Sequence, residues 1–402
     1  MRLAITAAAV AAALLLLAAR PSDAAAGPLS CGATITRDTT LHADLSCAGT
    51  ALRIGADRVA LDLDGHVVES VCTEADCSAS IGIDNSGGYD RVRITDGSVR
   101  GVQYGILLVD AGRNRLLRLD VSGGGYERAA SSAIRLEESN RNRVAGSDLD
   151  GGDPGLQLSG SSRNVIVHNS IAAGIDIHNG DGVRIEDGSS RNRIEDNEIS
   201  GLWLGVVAAG SNRNLIASND VSAYADALVV GRSARTRIAD NELDSSQGRS
   251  IYATAVTRSE IVANGDGAIL IDGDRNVVAR NRASGGPFAS VALEVAGGER
   301  NVIRRNLARY GYLDAEILVR AAATRALLAG NTAPGAPHSE PIADADGIRV
   351  EAPGTIIRRN RAIDNADLGI DAVPGVIDGG GNRAGGNLNP LQCVNVVCGP
   401  IG

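Results

Sequence analysis

Two of the five histidines in this chain lie close together, His168 beside Asn169 and His178 in the run GIDIHNGDG, which begins at Gly174 and contains Asp176 and Asp181. A histidine beside a carboxylate is a usual make-up for a general base. One repeat further along, Asp196 takes the place of His168, and Asp240 takes it two repeats after that. Carboxylates two rungs apart, roughly 10 Å between backbones, would suit inverting hydrolysis of a glycosidic bond. His168, Asp176, His178 and Asp196 are therefore the catalytic candidates. Arg163, Arg191 and Arg213 open three successive repeats and would hold the carboxylates of an acidic glycan through their guanidinium forks. Trp203, the lone tryptophan, stands in GLWLG where a sugar could stack on it. The alternative for each is structural: a surface histidine in a turn, solvated arginines, a tryptophan in the core.

What positions these residues is repetition. The run SSRNRIEDNEISGLWLGVVAAG from Ser189 is followed directly by SNRNLIASNDVSAYADALVVG from Ser211. Each opens on Arg-Asn, reaches an Ile two residues later and an Asn three after that. The unit, about 22 residues long, recurs about thirteen times from Arg58 to Gly354. A second short apolar segment lies between openings, usually introduced by a small residue: GILLV at Gly105, GLQL at Gly155, GIDI at Gly174, GVVA at Gly205, GIRV at Gly347. Segments of four or five residues with alternating inward positions are too short for helices and read as strands.

One unit of short strands and Gly/Asn/Asp turns cannot bury its apolar face alone, so copies must stack, giving parallel sheets. The expectation is an all-β, single-stranded parallel β-helix of about thirteen rungs with an N-terminal cap. Ile166, Ile194, Ile216 and Ile238 should stack inside, and the Asn series from Asn169 to Asn360 should form a ladder. A leucine-rich repeat would need a regular LxxLxLxxN, which is missing.

Stacking turns any repeated residue into a stripe with a rung spacing of about 4.8 Å. The opening Arg makes one stripe, and Asp148, Ser170, Glu198, Asp220 and Glu242 make another. Ca²⁺ is the cation such an acidic stripe would take, although no dedicated loop is present and no cofactor is otherwise implied. Two units are lengthened to 28 residues, one through NGDGVRIEDGSS and one through SGGGYERAASS, and such insertions suit walls of a site.

The NxIxxN units, with the entry segment CGATITRDTTLHADLSCAGTALRIGADRVALDLDGHVV, resemble the right-handed parallel β-helix repeat proteins of the pectate-lyase-like superfamily. The resemblance covers nearly the whole mature chain and implies the fold, but a superfamily of lyases, hydrolases, epimerases and inactive members leaves the activity open. No DPHE-like run of a mannuronan epimerase and no Asp cluster of a polygalacturonase is present, so no catalytic residue carries over. For copper-maturation members of the superfamily, a methionine-based copper site is excluded here, because Met1 is the sole methionine.

Met1-Arg2, an apolar Ala/Leu run and the small-residue exit PSDAAAG read as a signal peptide over residues 1–26. Residues 27–57 are then the N-terminal cap, 58–372 the β-helix and 373–402 a C-terminal tail with its own cysteine pair. The cysteines fall as Cys31/Cys47, Cys72/Cys77 and Cys393/Cys398, local disulfides in an exported protein. A formal charge of −9, spread along the sequence, argues against nucleic acid as partner. The functional expectation is a secreted or cell-surface protein, without a membrane span after signal cleavage, that binds an extracellular or cell-surface polysaccharide, with uronic-acid-rich chains among the candidates, or is structural. The alternative is a polysaccharide lyase, epimerase or hydrolase.

Overall fold

In the computed structural model, the described residues are 29–72, 80–124, 131–172, 180–286, 288–311, 314–335 and 345–401. They coil into a right-handed parallel β-helix. One rung shows the plan: strand Leu156–Ser159 in the first sheet, Val165–Val167 in the second and Ser170–Ala172 in the third, then Asp181–Glu186 back in the first sheet. Among the described residues the first sheet stacks 16 strands from Ala33–Ile35 to Cys393–Val394, all in parallel. This extends past the thirteen motif units because the entry segment and the tail contribute strands without carrying the Arg-Asn opening.

Each strand is short because each rung must turn three times. Its Val, Ile and Leu side chains alternate inward, which β-branched residues do well on a pleated surface. Ile166, Ile194, Ile216 and Ile238 sit in direct register and are sealed from solvent, as the repeat requires. The small residue that introduces the first-sheet strand has a steric reason. A Cβ on Gly205 would lie 2.2 Å from Val221 Cγ1 and 2.4 Å from the Ala227 carbonyl oxygen.

In the 28-residue unit that opens at Arg163 the first-sheet strand is not GIDI. The first-sheet strand is Asp181–Glu186, with Gly182 in the small-residue column and Ile185 inward, so the added length precedes it and NGDGVRIEDGSS is mostly strand and corner. Both segments begin with a small residue and alternate, and only the pairing of Val183 with Leu156 and Val206 selects the second. GIDI itself lies outside the described residues.

The Asn ladder runs as expected from Asn169 to Asn360: each side-chain amide donates to the next Oδ1, for example Asn169 to Asn197 at 3.0 Å and Asn331 to Asn360 at 3.0 Å. A second ladder accompanies it at the Arg-Asn corner, where Asn142 donates its backbone N–H to Asn164 Oδ1 and Asn164 to Asn192. Most buried corner amides thus have partners, Asn114 Nδ2 being an exception, which is what allows tight turns to be packed inside. Disulfides join Cys31 to Cys47 with an S–S distance of 2.10 Å and Cys393 to Cys398 at 1.94 Å. Cys77, and with it the expected Cys72/Cys77 pair, lies outside the described residues.

Candidate functional site

Every rung has three corners, and the candidates distribute among them. At the first corner, between first and second sheets, stand the opening arginines. All twelve have positive φ, 61° at Arg163, 58° at Arg191 and 59° at Arg213, and Gly354 takes the same place with φ 77°. These residues make the left-handed step that turns the chain. Their guanidiniums stay exposed, and among the described residues Arg163, Arg191 and Arg213 have no ion pair.

His168 and Asp196 form the second corner. They are neighbours one rung apart, since the pairs Val167 with Glu195 and Ser170 with Glu198 bracket them, and both are exposed. Both also have positive φ, 54° and 52°, a place held in other rungs by Gly146, Ser218, Asp240 and Arg305. Strand Val165–Val167 separates His168 from Arg163, so these two stand on different corners. Asp176 and His178 lie outside the described residues.

Trp203 belongs to the third corner, between the third and first sheets, on the far side of the rung from Arg191. Sequence insertions collect at this corner, and so do aromatics. The Trp203 and Tyr224 rings, from adjacent rungs, pack with centroids 5.3 Å apart. Tyr252 follows on the adjoining strand under Arg249, and Phe288 and Tyr310 stand exposed in later rungs. Between them, Asp244, Asp266, Ser246 and Phe288 line a cleft.

Beside the Trp203/Tyr224 pair lies a charged cluster on the outer face of the first sheet. Trp203 donates its backbone N–H to the Gly180 carbonyl at 2.8 Å, and the next residue, Asp181, pairs with Leu204. Arg184 Nε donates to Asp181 at 2.9 Å, and its Nη2 donates to Asp153 at 2.7 Å. Asp181 is nearly sealed from water, and burial pushes its carboxyl above the usual range although Arg184 pulls the other way. The network continues as Arg135 donates to Gln157 at 2.6 Å, Gln157 donates to Glu186, and Arg135 stacks over Tyr104.

The sequence reading missed Asp181, Arg184, Asp153 and Tyr224 as site residues. A signal existed: Asp-Gly-Val-Arg at 181–184 recurs as Asp-Gly-Ile-Arg at 346–349. The second copy repeats the geometry, with Arg349 Nε donating to Asp346 at 2.8 Å and burial raising the Asp346 carboxyl to about 6. The acidic stripe exists as a column on the outer face of the third sheet, Asp148, Ser170, Glu198, Asp220 and Glu242 in register. Among the described residues no group of three or more His, Cys, Asp or Glu converges as a metal site would.

Stacked parallel sheets, Asn ladders and a long outer corner define the chain as a parallel β-helix protein. The model of the NosD family, described as periplasmic copper-binding protein, matches residues 62–227 and 179–335, and the chain belongs to that family. No curated protein matches it. Among solved structures, the mannuronan C-5 epimerase AlgE6 A-module of Azotobacter vinelandii is similar at 13% identity and TM-score 0.43, covering 91% of this chain and 92% of that one. A tailspike protein of E. coli bacteriophage HK620, in complex with pentasaccharide, is similar at 10% identity and TM-score 0.46, covering 91% and 73%. DFA-IIIase from Arthrobacter chlorophenolicus without its lid is similar at 14% identity and TM-score 0.41, covering 86% and 87%.

Proposed function

We propose that this chain is an extracytoplasmic β-helix that binds a glycan along its third corner, over Trp203 and Tyr224. The observation that carries this is the ring pair itself, set one rung from the Asp181/Arg184/Asp153 cluster. Aromatic faces stack on the C–H face of a sugar, while fixed carboxylates and a guanidinium accept and donate to its hydroxyls. In a chain so poor in aromatics, rungs that gather Trp203, Tyr224, Phe288 and Tyr310 on one corner, with Tyr252 on the adjoining strand, offer a platform along the axis, as a linear glycan needs. The disulfides favour an oxidising compartment, and the family's periplasmic description agrees.

No cluster of donors among the described residues matches the family's copper. Among the described residues both disulfides consume their thiols, His66 Nδ1 is engaged with Asp44 at 3.0 Å, and no cluster of ligands forms. Copper prefers thiolate, thioether and imidazole donors, and Met1 is the sole methionine.

The test uses the single tryptophan. Titrating the full chain with a panel of neutral and uronic-acid oligosaccharides should give a saturable change in Trp203 fluorescence for at least one of them, and Trp203→Ala with Tyr224→Ala should abolish binding by calorimetry. An acidic glycan held instead by the first-corner column would bind equally well to that double variant. It would release with salt and depend on Arg163, Arg191 and Arg213, and this result would overturn the third-corner reading.

A further inference from the structure

The third sheet carries opposite charges on its two halves. In the N-terminal half its outer column reads Asp120, Asp148, Ser170, Glu198, Asp220, Glu242. Asp150 and Asp244 flank it, and Asp196 and Asp240 stand at the adjoining second corner. Past the rung of Ala263 and Gly265 the sign reverses. The same column continues as Arg282, Leu307, Thr332, Arg361, Arg383, and the same corner as Arg280, Arg305 and Arg359. These carboxylates and arginines are exposed, and among the described residues none of them has an ion pair. Two arginines break the sign on the N-terminal half: Arg118 is taken up by Asp96 at 2.6 Å, and Arg100 lies at its far end, one rung before the Asp120 rung.

In-register carboxylates about 4.8 Å apart repel one another, and so do stacked guanidiniums. Such columns are relieved when an opposite column of the same spacing is laid on them, and the other half of the same face has that spacing. Rotating a second copy by a half-turn about an axis that lies in the interface and crosses the sheet at Gly265 reverses the helix direction while keeping the columns aligned. Counting rungs outward from that axis, Glu242 meets Arg282, Asp240 meets Arg280 and Asp148 meets Arg383, each pair made twice by the symmetry, while Asp220 meets Leu307, Glu198 meets Thr332 and Ser170 meets Arg361. A parallel arrangement would set acid on acid.

We infer that this face docks a second copy of the chain, antiparallel and two-fold, with the acidic half of each protomer on the basic half of the other. A closed isologous contact of this kind satisfies both halves at once. Ten rungs span about 48 Å, and with a width of about 15 Å the face offers on the order of 700 Å² per partner, near the usual size for a specific interface. The glycan corner lies at the edge of this face, so two protomers would present their platforms in opposite directions along one side.

The experiment is sedimentation equilibrium of the full chain. A dimer is expected in about 50 mM salt and dissociation in about 500 mM, as screened charge pairs require. The variant Asp148→Arg/Asp240→Arg/Glu242→Arg and the variant Arg280→Glu/Arg282→Glu/Arg383→Glu should each be monomeric, with dimer Kd weakened about a hundredfold or more. Mixing the two should restore a dimer containing one copy of each, since each then meets its opposite charge. Thermal melts of both variants should stay near that of the parent, because all six positions are solvent-facing or at the rim. A parent that is monomeric at low salt overturns the proposal, as does a dimer that survives both reversals or one that mixing fails to restore. Capture of a polyanion by the basic half of a monomeric chain would also overturn it.

Discussion

Asn197 donates its side-chain amide to Asn219 Oδ1 at 2.9 Å, and both side chains are buried. Asn219 in turn donates to the Ile194 carbonyl and to Asn241 Oδ1, so one residue ties three rungs. Asn219→Ala would leave the Asn197 backbone N–H without its acceptor inside the core and would remove one of the three acceptors around Asn197 Nδ2. A loss of about 2–4 kcal/mol in urea unfolding is expected, against a smaller loss for Asn387→Ala near the open end. Equal losses at both positions would show that the ladder does not act as a chain.

Arg184 is the counter-charge for two carboxylates, Asp181 and Asp153. Asp181 has its folded pKa raised by burial, so its contribution to stability is present at low pH and lost as pH rises through the folded value. Arg184→Ala removes the attraction that limits this rise. The melting temperature of the variant should therefore fall further below the parent's at pH 8 than at pH 4.5. A pH-independent loss would mean that Arg184 acts by packing alone.

Glu316 holds a place that other rungs give to Ala292, Ala268 or Gly347. It accepts the Gly311 N–H at 2.7 Å beneath the corner that carries exposed Tyr310, and burial raises its carboxyl to about 8. A raised folded pKa means stability that is full below about pH 4.5 and lost as pH climbs through about 8. Glu316→Gln keeps the acceptor without the charge, so its melting temperature should match the parent at pH 5 and exceed it at pH 9, by about 2–4 kcal/mol of stability. Identical pH profiles would refute a buried, titrating Glu316.

The architecture was legible because a stacked fold writes its period into the chain: Ile194, Ile216 and Ile238 recur at the unit spacing since each must meet the last. The opening Arg was legible as a stripe but not as a turn, because nothing in its side chain announces a positive φ; only Gly354 in the same column does so. Asp181 was hidden by a different ambiguity. GIDI and GVRI fit one strand pattern equally well, and pairing with neighbouring rungs chose between them. Trp203 and the arginines share a unit in sequence yet sit on different corners, a separation that linear spacing cannot express.

That geometry yields a test of the second corner. His168 and Asp196 occupy a position whose φ is 62° at Gly146, 66° at Gly330 and 75° at Gly381. Left-handed backbone costs a residue with a Cβ roughly 1 kcal/mol more than glycine. His168→Gly and Asp196→Gly should accordingly hold or raise the melting temperature, and neither side chain is near the Trp203/Tyr224 platform. Glycan affinity read from Trp203 fluorescence should stay within about twofold of the parent, under 0.5 kcal/mol. If either substitution abolished binding or turnover of the glycan while the protein kept its stability, the exposed His168/Asp196 pair would have to contact the ligand, and the binding surface would extend across the third sheet to the second corner.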